Sequence, residues 1–353
     1  MSRVDRRGLG EVVPPVYLST IYAQKTPGEP LGYEYSRVGN PTREQTEIEI
    51  ATLENAKHGL AFSSGSAAAA TVLASLNSGD RVLCSQDIYE GTYRLLNSVF
   101  RRFGISTDFV DFNNINKVYA RIGKSTKLVW MESISNPLLK VVDIRSISDI
   151  AKEKNAVVLV DNTFASPVFI HPLSEGADIV LHSLTKYIGG HHDVTAGALA
   201  LNDTGTYEQL RLLQFTIGAI AAPIDCFLVS RGIKTLDIRM ERHQKNATVV
   251  NEFLKSMETI DKVSYPGISG MVSFWVKGGK DETVKFLENL DHIKIAHSLG
   301  GPETTVQHPR TMMSFTEIPE ELDRKGVTFN LVRMSVGLEN PQLVMDDISQ
   351  AIK

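Results

Sequence analysis

A chain of 353 residues, 42% hydrophobic and 22% charged with a formal charge of −4, has the composition of a globular protein long enough for two packed cores. That charge leaves no single-sign field for nucleic acid or an anionic membrane surface, and no stretch approaches the roughly 20 apolar residues that a bilayer-spanning helix needs. Cys84 and Cys226 are the only cysteines and neither belongs to a ligand-spaced cluster, so no disulfide framework or zinc site is expected and a reducing cytoplasm fits. The opening "MSRVDRRGLGEVVPP" carries basic residues with no apolar core behind them, unlike an export signal.

Residues 1–43 hold Pro14, Pro15, Pro27, Pro30 and Pro41 with Gly8, Gly10, Gly28, Gly32 and Gly39, a density that breaks helix and strand and predicts an extended N-terminal arm. "NPTREQTEIEIATLENAKHG" predicts a helix capped by Asn40 or Thr42, with Pro41 in its first turn, Ile48, Ile50, Leu53 and Ala56 inside and Gly59 as its stop. From about 60 to 200, seven apolar runs alternate with helix-length segments: "GLAFSSG", "DRVLCS", "TDFVDF", "TKLVWMES", "AVVLVDNT", "ADIVLHS" and "GALAL". Strands buried on both faces read as unbroken apolar runs, so the spacing predicts βαβ units and a mostly parallel sheet in an α/β domain over 44–235. Residues 207–260 read as helical, broken near Pro223, and lead into a smaller α+β domain over 236–353 with "MVSFWVKG", "IKIAHSL" and "LVRMSVGLE" as strands. There is no internal repeat and no low-complexity tract.

Ligands of open parallel sheets bind beyond the carboxyl ends of the strands, which directs attention to the residues that end each run. Ser64, Gly65 and Ser66 separate a strand from an alanine-rich helix start, where free N–H groups favour a phosphate, although Gly-Ser connecting loops are common. Asp161 ends another strand and could pair with a protonated ring nitrogen or simply cap the next turn. In "ADIVLHSLTKYIGG", Lys186 follows a buried strand end, with hydroxyls at Ser183 and Thr185 and room at Gly189 and Gly190. Most lysines are solvated surface residues, but this combination suits one that forms a Schiff base: desolvation lowers its pKa, phosphate ligands flank it and a flat ring has space. His191 and His192 read as a loop pair rather than metal ligands, and His308 and Cys84 as ordinary packing or polar satisfaction. Neither G-x-G-x-x-G nor G-x-x-x-x-G-K-[ST] is present, which leaves a doubly wound nucleotide-binding enzyme without support.

"YEYSRVGNPTR" (33–43), "SSGSAA" (63–68), "DIYEGTYR" (87–94), "ESISNP" (132–137), "VDNTFASP" (160–167), "HSLTKYIGGHHDVTAGA" (182–198), "SLGGPETTVQHP" (298–309) and "RMSVGLE" (333–339) resemble, in order, the motifs of the Cys/Met-metabolism PLP enzymes. The resemblance runs from about residue 11 to 345 and implies the fold-type I architecture of these transferases and lyases: a large, mostly parallel sheet with helices on both faces and a smaller α+β C-terminal domain. It implies that Lys186 holds pyridoxal 5'-phosphate as a Schiff base and shuttles protons, that Asp161 keeps the pyridine nitrogen protonated, and that Tyr89 stacks on the ring and is a candidate base. Gly65, Ser66, Ser183 and Thr185 would bind the phosphate, with Tyr35 and Arg37 reaching it from a neighbouring subunit, so a homo-oligomer is expected, by resemblance a tetramer of two catalytic dimers. Arg333 would clamp the substrate α-carboxylate, assisted by Asn136 and the Ser298 backbone, while Arg94 would face the distal end of the substrate and suggests a second carboxylate or acyl group.

The implied activity is transsulfuration at the γ-carbon, of the cystathionine γ-lyase or γ-synthase type, with methionine γ-lyase, O-acylhomoserine sulfhydrylase and a non-catalytic cofactor binder as alternatives. Three positions depart from the family pattern: Ser66 where methionine is usual, His297 before "SLGG" where the cystathionine γ-enzymes carry glutamate, and Gly91 where methionine γ-lyases carry cysteine. The first needs only its backbone N–H, the second leaves the choice between replacement and elimination open, and the third lowers the methionine γ-lyase reading. The resemblance also implies that some N-terminal residues of family members are missing here while the phosphate-binding arm is intact.

Overall fold

All seven predicted apolar runs form one sheet in a computed structural model of the chain, which describes residues 10–313, 322 and 325–352. Two short arm strands, β1 (Gln24–Thr26) and β2 (Glu29–Pro30), pair only with each other. The large sheet comprises β3 (His58–Phe62), β4 (Arg81–Ser85), β5 (Ser106–Val110), β6 (Thr126–Glu132), β7 (Val157–Asp161), β8 (Ile179–Ser183) and β9 (Gly197–Leu201), in the order β3-β9-β8-β7-β6-β4-β5. Only β9 runs antiparallel to its neighbours. The continuous runs are explained by cover on both faces: Val180, Ala198 and Ala200 join one core cluster, while Ile179, Leu181, Leu199 and Leu201 join another.

The first helix, α1 (Pro41–Leu53), is capped as expected, the Asn40 side chain accepting from the Thr42 and Arg43 backbones at 2.9 and 3.2 Å. Its expected stop is corrected. The helix ends at Leu53, Asn55 takes the left-handed turn at φ 54°, and Gly59 lies inside β3, where a Cβ would meet the Glu47 carbonyl oxygen at 2.1 Å. Gly59 is therefore a close-approach glycine between strand and helix rather than a terminator. The helix α2 (Gly65–Leu73) covers the opposite face, followed by α3 (Glu90–Arg94), α4 (Ile115–Arg121), α5 (Ile144–Glu153) and α6 (Ser166–Phe169). The predicted helical region resolves into α7 (Thr204–Ile217), α8 (Pro223–Ile233) and α9 (Leu236–Ser256), with Pro223 opening α8, where a missing N–H costs nothing.

A second sheet has the order β10-β11-β14-β13-β12, from β10 (Ile260–Ser264), β11 (Met271–Val276), β12 (Lys294–Ile295), β13 (Thr305–Gln307) and β14 (Leu331–Ser335). α9 serves both cores, burying Leu236 and Met240 against the large sheet and Ala247, Val250 and Leu254 against the small one. Three serines tie the second sheet and its loops to the strand-end loops of the first: the hydroxyls of Ser264, Ser269 and Ser273 donate to the Leu138, Phe164 and Pro137 carbonyls at 3.0, 2.7 and 2.7 Å. These bonds hold β10 and β11 against the carboxyl edge of the large sheet, and β14 is paired to β11.

Candidate active site

Because β3, β4, β6, β7 and β8 point the same way, Ser64, Tyr89, Glu132, Asp161 and Ser183 all emerge at one edge, where they line a cavity of about 400 Å3. Of the residues singled out from sequence, Gly65, Ser66, Tyr89, Arg94, Asn136, Asp161, Ser183, Thr185, Lys186, His297, Ser298 and Arg333 line this cavity. Tyr35 and Arg37 do not. Tyr35 is 41% exposed, and Arg37 donates to the Phe215 carbonyl at 2.6 Å with its guanidinium 5.5 Å from the Tyr35 ring centre. His191 Nδ1 is bonded to the Gly189 carbonyl at 2.8 Å, and among the described residues no three His, Cys, Asp or Glu side chains converge as metal ligands.

Lys186 follows β8 by three residues, and its Nζ donates to Ser298 Oγ at 2.5 Å, across from the second sheet. Ser298 has φ 83°, a left-handed backbone that turns this hydroxyl toward the lysine. Burial, reinforced by the positive charge of Arg333 and opposed by Asp161, pushes the Lys186 ammonium down to about 8. Asp161 accepts from the Thr163 backbone N–H at 3.0 Å, and Thr163 Oγ1 in turn accepts from the Ser183 N–H at 2.9 Å. Burial raises the Asp161 carboxyl, against the hydrogen bonds from Thr163 and the charges of His182 and Lys186. A cationic ring nitrogen placed beside Asp161 would reverse that burial effect and hold it as a carboxylate.

Arg333 projects from β14 and is 3% exposed. Its Nη1 donates to Asn136 Oδ1 at 2.7 Å, and its Nη2 donates to the Ser298 carbonyl at 3.0 Å and to Gln307 Oε1. Asn136 and Ser298 thus orient the guanidinium, while Arg333 Nε is a buried donor with no partner among the described residues. An uncompensated buried donor is costly, and an anionic oxygen is the kind of group that would satisfy it.

The N-terminus of α2 opens onto the same cavity. Ser64 Oγ caps Ala67 N–H at 3.0 Å, and the Gly65 and Ser66 N–H groups donate to no partner among the described residues. A Cβ on Gly65 would lie 3.1 Å from Ser183 Cβ and fill the space between them. Among the described residues the Ser183 hydroxyl faces this gap without a bond of its own, whereas the Thr185 hydroxyl donates to the Ala196 carbonyl at 3.2 Å and accepts from its N–H at 3.1 Å. Free helix N–H groups, a serine hydroxyl, a desolvated lysine and a buried carboxylate match the donor and acceptor set of pyridoxal 5'-phosphate, so the residues present fit that group.

Sequence reasoning did not single out several lining residues, among them Glu132, Thr163, Gln307 and Glu90. Glu132 ends β6 as Asp161 ends β7, and its two carboxylate oxygens accept from the Tyr89 N–H at 2.7 Å and the Asn136 N–H at 3.1 Å. Burial and then the charge of Asp161 raise its carboxyl well above the usual range. The same strand-end rule that selected Asp161 would have found it. Thr163 and Gln307 lay inside quoted motifs, and Glu90 adjoins Tyr89.

The fold and a strand-end lysine facing a buried carboxylate define a pyridoxal-phosphate enzyme with its site at the sheet's carboxyl edge. Residues 2–353 match the pattern of the Cys/Met metabolism PLP-dependent enzymes, and the chain belongs to that family. It is 42% identical to cystathionine γ-lyase of Homo sapiens over 97% of this chain and 89% of that one, and 44% identical to cystathionine β-lyase of Coxiella burnetii over 97% and 93%. The crystal structure of metB from Corynebacterium glutamicum superposes with a TM-score of 0.94 at 41% identity, covering 97% of this chain and 93% of that one.

Proposed function

We propose that this protein cleaves the Cγ–S bond of L-cystathionine, yielding L-cysteine, 2-oxobutanoate and ammonia with consumption of one water. The observation that carries the reading is the convergence of Lys186, Asp161 and the half-satisfied Arg333 in one cavity. Lys186 would hold the cofactor covalently, Asp161 would face its ring nitrogen, Tyr89 its ring, and Gly65, Ser66 and Ser183 its phosphate. When bound, pyridoxal 5'-phosphate supplies a sink for the electron pair left when the α-proton departs.

The chain's own groups supply the rest. Arg333 binds the α-carboxylate through the free Nε and fixes the amino acid in one orientation. The Lys186 amine, half deprotonated near pH 8 and positioned by Ser298, takes the α-proton, hands it on within the site and then takes a β-proton, so that the Cγ–S electron pair leaves with the sulfur, which picks up a proton and departs as cysteine. Phe164, Ile134 and Leu299 wall this proton path with apolar surface that excludes water. The low lysine value has a direct consequence: cofactor-free protein should capture pyridoxal 5'-phosphate at a rate that rises with pH about a midpoint near 8, followed by growth of the visible absorbance. A midpoint near the ordinary lysine value of about 10.4 would contradict a desolvated amine.

Tyr35 and Arg37 are proposed to serve the phosphate of a neighbouring copy. In support, both lie outside their own cavity, and the arm exposes Val12, Leu18, Ile21 and Leu31 by 88%, 65%, 74% and 62%. Both cysteines are buried and free, which supports a reducing compartment. The identity to the Coxiella β-lyase favours cleavage on the other side of the sulfur as the second reading. Incubation with L-cystathionine separates them: Cγ–S cleavage releases cysteine and 2-oxobutanoate, Cβ–S cleavage releases homocysteine and pyruvate. A parallel incubation with an O-acylhomoserine and cysteine detects replacement as thioether, which as the dominant product would displace the lyase reading.

A further inference from the structure

The cavity carries a cation at each end. Arg333 marks the inner end at 3% exposure, and Arg94 marks the rim, with 45% of its side chain in solvent. Read from sequence, Arg94 was a bare charge for a distal carboxylate or acyl group. The structure places Glu90 one turn earlier on α3 and in the same cavity, its Oε1 accepting from Arg94 Nε at 3.2 Å and from Nη2. The Glu90 side chain is 13% exposed, so this carboxylate is largely removed from water. Among the described residues Glu90 Oε2 and Arg94 Nη1 make no hydrogen bond, which leaves each charge one group to offer a ligand.

A lone arginine would attract any anionic end. Joined to Glu90 it makes a rim of zero net charge, where a lone distal carboxylate must compete with Glu90 for one guanidinium and is repelled by it. An uncharged distal end would instead cover both charges without replacing the water they lose. A zwitterion does neither, because it brings a carboxylate to Arg94 and an ammonium to Glu90. We propose that Glu90 and Arg94 together receive a second amino-acid head, and that Glu90 selects substrates whose far end is zwitterionic. This rests on the cystathionine reading above and deepens it, since a thioether joining two amino acids carries such a head at each end.

The test compares wild-type holoenzyme with Glu90→Gln, an isostere that keeps the hydrogen-bond acceptor and removes the charge. Three probes share the inner amino-acid head and differ at the far end: L-cystathionine is zwitterionic, O-succinyl-L-homoserine anionic and O-acetyl-L-homoserine neutral. Relative to O-acetyl-L-homoserine, kcat/KM for L-cystathionine should fall about 10-fold or more in the variant and that for O-succinyl-L-homoserine should rise several-fold. Unchanged ratios, or an equal loss on all three probes, would overturn the proposal, the latter showing that Glu90 only braces α3. Dissociation constants read from the visible band give the same ratios without turnover. A wild-type enzyme that binds L-cystathionine in this Glu90-dependent way without cleaving it would sink the lyase reading and uphold the recognition pair.

Discussion

Lys186→Ala is expected to lower kcat on L-cystathionine by about 10^4-fold or more while the chain stays folded. The fold should survive because the lysine is an energetic liability: it is desolvated, its pKa is displaced to about 8, and its one side-chain bond among the described residues is to Ser298 Oγ. Removing it takes away the amine that would hold the cofactor and the base that would move the α-proton, and neither Tyr89 nor Glu132 can replace it. Burial raises the phenol of Tyr89, with the charge of Glu90 adding, and both Glu132 oxygens accept backbone N–H groups. Steady-state turnover with circular dichroism on the same sample checks both halves of the expectation. Retention of more than about a tenth of wild-type kcat would remove Lys186 from the chemistry.

Arg333→Lys should lower kcat/KM on L-cystathionine by roughly 100- to 1,000-fold, chiefly through KM, with cofactor capture retained. A planar fork reaches Asn136 Oδ1, Gln307 Oε1 and the Ser298 carbonyl while keeping Nε free, and an ammonium cannot meet all four demands. Asn136 and Gln307 are buried, so the substitution also costs about 1–3 kcal/mol of stability for each of these acceptors that is stranded. A KM within threefold of wild type would show that the α-carboxylate binds elsewhere.

The large sheet was readable because strands covered on both faces leave unbroken apolar runs, as in "TKLVWMES" and "AVVLVDNT". The second sheet was less so. The run "IKIAHSL" contributes only the two residues of β12, β13 spans three and is too short for any periodicity, and β10 reads "IDKVS" with polar residues at an edge. β1 and β2 are equally short and lie in a segment whose prolines and glycines argue against strands. Gly59 was mistaken for a helix stop because a close-packing glycine and a terminating one look alike in sequence; only the 2.1 Å approach to Glu47 tells them apart. The placement of Asp161 and Lys186 at or just past the ends of their strands was legible, because each follows an unbroken apolar run. What sequence could not show was pairing across space, namely Lys186 with Ser298, Arg333 with Gln307, and the neutralisation of Arg94 by Glu90.

The most direct measurement reduces the purified holoenzyme with borohydride, digests it and locates the modified peptide by mass spectrometry. The expected result is loss of the visible band together with one pyridoxyl-phosphate adduct on the ε-nitrogen of Lys186. An adduct confined to another lysine, or none at all, would contradict the assignment on which the proposed chemistry rests.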